Sequence, residues 1–147
     1  MADVAEAALL RAYGNRLEAG AAVWDTHIYS GSAPARAPKP YVVFSFGAGG
    51  RAYKARTKDA LITIDAVCVA NDLATALAGA DMLSQLLEET GSQDFGSNKG
   101  LLSGGEWWEI TTVTEQEHIA MDERINDGAE VIYHRGAQFE NNMERIA

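Results

Sequence analysis

Apolar positions recur along the 147-residue chain with two different periods, and those periods divide it into elements. Val4, Ala8, Leu9, Tyr13 and Leu17 fall near helical spacing behind Asp3-x-x-Glu6, a capping-box pattern, which predicts a helix over about 3–19, weakened at Gly14-Asn15. Residues 41–46 and 60–70 are β-branched or aromatic and alternate in polarity, as strands do. Ile62, Ile64, Ala66 and Cys68 share the apolar face of the second run, opposite Leu61, Thr63, Asp65, Val67 and Val69. Asn71 or Asp72 then caps an amphipathic helix that ends at Gly91, with Leu73, Leu77, Ala80, Leu83 or Ser84, and Leu87 on its stripe. Its small residues Ala76, Gly79 and Ala80 permit close approach to a sheet.

The segments between these runs read as irregular. Pro34, Pro38 and Pro40 lack the N–H a ladder needs, so 26–40 is a lead-in to the strand at Tyr41. Positions 91–105, rich in Gly, Ser and Asn, form a loop. A strand led by Trp107-Trp108 follows, and Asn126-Asp127-Gly128 turns it into a last strand through Tyr133 and His134. Strands cluster with helices between the clusters, which predicts a single α+β domain over 1–147: one mainly antiparallel sheet, two helices packed on it, and a protruding β-hairpin arm at about 47–59.

Composition narrows the function. The formal charge of −9 argues against a general nucleic-acid binder, and Cys68, the one cysteine, rules out an intramolecular disulfide and disfavours a thiolate zinc site. No apolar stretch approaches the roughly 20 residues of a membrane span, and the acidic amino terminus lacks the basic start of a secretion signal, so a cytoplasmic product is expected. The charge is uneven. Arg51, Lys54, Arg56 and Lys58 crowd into RAYKARTK without an acid, leaving eight other Lys and Arg against 21 acids.

That basic stretch follows Gly47-Ala48-Gly49-Gly50, which invites a phosphate-loop reading. Such a loop opens into a helix and carries a G-K-[ST] ending or a third spaced glycine, whereas here another strand follows. A hairpin arm is expected instead. Its four cations with Tyr53 between them suit an acidic neighbouring subunit, a nucleic-acid phosphate path, or simple solvation. Glu115-x-x-His118 has the spacing of half a carboxylate-bridged metal site, but on a strand its two side chains are expected on opposite faces. Cys68 beside His27, His118 or His134 would make a nucleophile and base, yet its apolar face predicts a raised pKa and poor access. Neither a metal, nor a cofactor, nor enzymatic activity is expected. Trp108, on the side of Ile110, is expected to be buried, and Trp107 to be covered by a helix or by a partner.

Taken in order, "IYSGSAPARAPKPYVVF", "LITIDAVCVA", "ALAGADMLSQLL", "WWEITTV" and "DERINDGAEVIYHRGAQFE" resemble the small tail-completion and tail-terminator proteins of long-tailed bacteriophages, the U-type minor tail protein superfamily. The resemblance runs from about Trp24 to Phe139. It implies a structural virion protein that forms a hexameric ring at the head-proximal end of a tail, ending tube polymerisation and allowing head–tail joining. The implied partners are sister copies, the tail tube protein and a head–tail connector protein, with genome DNA passing unread through the lumen and no membrane involved. The implied site is an interface of Arg51, Tyr53, Lys54, Arg56, Lys58 and Trp107. A head-side connector and a nucleic-acid-binding accessory protein using the basic arm are the alternatives.

Overall fold

The computed structural model of the chain describes residues 4–53, 59–87, 101–103 and 106–145. Helix α1 (Val4–Leu17) passes through a 3-10 turn (Glu18–Gly20) into a short α2 (Ala21–Trp24), followed by strands β1 (Ile28–Ser30), β2 (Tyr41–Tyr53) and β3 (Asp59–Ala70). Helix α3 (Leu73–Leu87) precedes β4 (Leu101–Ser103), β5 (Glu106–Ile125) and β6 (Glu130–Arg145). The six strands form one sheet in the order β1-β2-β3-β6-β5-β4. Only β1 runs parallel to its neighbour; every other pairing is antiparallel. The α+β class and the mainly antiparallel sheet agree with the sequence reading.

Several boundaries differ from that reading. The lead-in contains β1, whose three residues are too few to show a period, and Gly31 leaves it at φ +86, a left-handed conformation glycine adopts freely. The loop over 91–105 contains β4, the rest of it lying outside the described residues. Asp3 of the capping-box pattern also lies outside them, and α1 continues unbroken past Gly14-Asn15.

The sheet buries one face under the helices. Val42 and Phe44 of β2, Ile62, Ile64, Ala66 and Cys68 of β3, and Ala137, Phe139 and Met143 of β6 meet Leu9, Ala12, Tyr13 and Leu17 of α1. The predicted inward face of β3 is the buried one. Trp24 closes the helical corner by donating from its indole Nε1 to the Leu17 carbonyl at 2.9 Å, satisfying a helix-end acceptor. A Cβ on Gly20 would fall 2.0 Å from that ring, so no larger residue fits there.

α3 lies differently from its predicted stripe. Ala76, Gly79, Leu83, Leu86 and Leu87 face inward, while Leu73 and Leu77 are 40% and 50% exposed. The cause is the crossing point on β3. A Cβ built on Gly79 would stand 2.2 Å from Cys68 Sγ, so the helix sets its smallest residues on the sheet and turns by about 100°, one residue of helical rotation. Asp72 is the cap: Thr75 N–H donates to its Oδ2 at 2.9 Å and the Thr75 hydroxyl to its Oδ1 at 2.8 Å. Those bonds hold the Asp72 carboxyl below the ordinary aspartate range.

Among the described residues, Tyr13 and Asn141 form a polar pair buried in the core. Tyr13 donates its hydroxyl to Asn141 Oδ1 at 2.6 Å, and Asn141 Nδ2 donates to the carbonyls of Ile62 and Phe139, both at 3.0 Å. The contact ties α1 to β6 and β3 at one register, and burial pushes the phenol pKa upward.

Candidate assembly surface

The glycine cluster is neither a phosphate loop nor a hairpin tip. Phe46 pairs with Ile64 and Arg51 with Ile62, so Gly47-Ala48-Gly49-Gly50 bulges out of β2 opposite Thr63 alone. Beyond the bulge the ladder resumes through Tyr53, paired with Ala60. β3 is meanwhile paired on its other side with β6 as far as Asp59, opposite Glu144, so the roots of the arm are part of the sheet. Lys54, Arg56 and Lys58 lie outside the described residues. Trp107 pairs with Leu102, in β5 at the same end of the sheet. Two strands stand between it and β2, placing it about 14 Å across the sheet from Arg51 and Tyr53. Of the expected interface residues, the three that are described, Arg51, Tyr53 and Trp107, thus lie at one end of the sheet on separate strands.

Glu115 and His118 correct the sequence expectation. Glu115 pairs with Phe139 and His118 with Ala137, so β5 carries one extra residue there. The bulge cancels the odd spacing, and His118 Nε2 comes within 3.4 Å of Glu115 Oε2 on the same side. The Ser84 hydroxyl donates to Glu115 Oε1, fixing α3 to β5. Among the described residues no group of three or more His, Cys, Asp or Glu side chains has a metal-holding arrangement.

Cys68 is sealed beneath Gly79, and burial pushes its thiol up to about 12. The imidazoles of the histidines contact other groups: His27 Nδ1 approaches the Pro40 carbonyl at 3.3 Å, and His134 Nε2 lies 3.2 Å from Glu123. The nucleophile and base pairing weighed from sequence thus lacks a thiolate at neutral pH.

Both edges of the sheet are only partly covered. β1 covers β2 only from Val42 to Phe44, and β4 covers β5 only from Glu106 to Trp108. Along the rest of β5 the charged residues Glu117, His118, Asp122, Glu123 and Arg124 are exposed, and with the bulge they keep that edge from pairing indiscriminately. Arg135 braces the hairpin by reaching Asp122 Oδ1 at 2.8 Å and stacking over Tyr133 at 5.8 Å. Near the other edge Tyr29 meets Tyr41 edge-on at 5.7 Å; partial burial, then Glu123 and Tyr29, raise the Tyr41 pKa.

A cleft of about 630 Å³ opens between α1, α2 and β1, its floor made by Leu10, Ile28 and Phe44. Leu73 and Leu77 form an apolar ridge on the flank of α3 that Ser84 turns toward β5. The helical spacing assigns those leucines to the core, so sequence reasoning missed them as surface; the close approach of Gly79 to Cys68 is a constraint the spacing does not carry.

These features define a single-sheet α+β fold with one face covered by helices and two sparsely covered edges. No protein-family model matches the chain, and no curated protein matches it. Among solved structures, a chain from the virion of a native gene transfer agent particle is similar, with a TM-score of 0.57 and 20% identity over 90% of this chain and 91% of that one. A second solved chain aligns over 100% of this chain and 96% of its own at 11% identity and a TM-score of 0.49. The first likeness is one of fold.

Proposed function

We propose that this chain is a non-enzymatic structural subunit of a phage-like virion, forming a ring at the head-proximal end of the tail. There it ends tube polymerisation and offers a surface for head–tail joining. The supporting observation is the likeness of fold, end to end, to a chain of a gene transfer agent virion, with a TM-score of 0.57 and about nine-tenths of both chains aligned. In this reading the ring is hexameric, its neighbours are the tail tube and a connector protein, and DNA crosses the lumen unread. The charge of −9 fits that passage, because an acidic body repels phosphate instead of holding it. Arg51 and Tyr53, which continue the β2 ladder beyond the bulge, are the residues this reading assigns to contact with the tube or a neighbour.

Negative-stain imaging of the purified protein tests this reading. Closed rings with a central opening are the expected result; isolated globules at every concentration would contradict it.

A further inference from the structure

Two opposite edges of the subunit differ in charge. From Thr26 to Lys58 the chain contains no acid, and this stretch builds β1, β2 and the loop between them. Within that loop Arg36 is exposed and Lys39 half-exposed. Toward the far edge, the β5–β6 hairpin carries six carboxylates from Glu115 to Glu130, all exposed except the half-buried Glu115; Glu123, paired with Ile132, and Glu130, paired with Ile125, lie together near its turn. Both regions lie at the same end of the sheet: Lys39 leads into Tyr41, which pairs with Val69, and Val69 pairs with His134 beside the hairpin.

Shape follows the same division. The cleft floored by Leu10, Ile28 and Phe44 opens on the β1 side, while the Leu73–Leu77 ridge faces the β5 side. The cleft's rim holds Arg11, Glu18 and Asp25, so its apolar floor is the part that suits a leucine.

We propose that these edges bind each other in successive copies: Arg36 and Lys39 of one subunit face Glu123 and Glu130 of the next, whose Leu73 and Leu77 enter the cleft. The inference rests on the ring reading above and supplies its contact. A second copy is the occupant because one chain carries both halves of the match. A two-fold dimer would instead set like charges together, whereas a head-to-tail contact sets each edge against its opposite and, with a closing rotation between copies, makes a ring.

Charge reversal tests the contact, with native mass spectrometry reading assembly and circular dichroism reading the fold. Arg36→Glu with Lys39→Glu, or Glu123→Lys with Glu130→Lys, raises the concentration for half-assembly by about tenfold or more. All four changes in one chain restore assembly, since each edge again meets its opposite. Leu77→Asp, at a position exposed in the subunit, leaves a folded monomer. A wild-type ring indifferent to both reversals, or a folded four-fold variant that stays dissociated, overturns this contact and leaves the ring reading standing. A wild-type chain that never assembles overturns both.

Discussion

At the scale of single residues, the fold depends on one close crossing. Adding a methyl at Gly79 brings it 2.2 Å from Cys68 Sγ, where backbone or helix must shift. Gly79→Ala is therefore expected to destabilise the protein by about 1–3 kcal/mol in chemical denaturation, and Cys68→Ala in the same chain, which removes the sulfur but keeps a Cβ 2.5 Å away, to recover only part of the loss. Cys68 itself, with its thiol near 12, should resist thiol reagents at pH 8 in the folded protein and react once denaturant is added. The sign of its linkage is fixed: a proton held more tightly when folded means stability falls as pH climbs from the ordinary thiol range toward 12. Tyr13→Phe removes a hydroxyl from a buried pair and leaves Asn141 Oδ1 without that donor. Thermal unfolding should register a cost of about 1–3 kcal/mol.

At the scale of elements, strands and helices were legible where a period ran long enough. The inward face of β3, the Asp72 cap and the Asn126-Asp127-Gly128 turn all follow from local chemistry, and the turn's φ values of 54, 55 and 86 are those such residues tolerate. The rest was hidden for definable reasons. β1 is three residues long, the bulge that joins Glu115 to His118 has no signature in side-chain type, and the rotation of α3 is set by what lies beneath Gly79 rather than by its own leucines. The basic arm was legible as charge, but its bulged and laddered backbone was not. The cap offers a test at this scale. Because the folded Asp72 carboxyl titrates below its unfolded value, its contribution is present above about pH 4 and disappears as pH falls through the folded pKa. Asp72→Ala should lower Tm at pH 7, and the difference from wild type should vanish in acid.

At the scale of the whole molecule, a sheet covered on one face and short of neighbours at both edges leaves its unpaired edges to be managed by charge or by assembly. The distribution of charge favours assembly in one direction, from the acid-free edge to the carboxylate-rich one. Contacts of that kind are screened by salt, so raising ionic strength from 0.1 M to 1 M, which shortens the Debye length from about 10 Å to about 3 Å, should weaken the oligomer while leaving subunit Tm nearly unchanged. Sedimentation velocity of the unmodified protein at low salt is the most direct measurement. The account predicts one discrete species several times heavier than the 15.8 kDa chain, formed cooperatively as concentration rises. A single boundary at the mass of one chain throughout the range would contradict it.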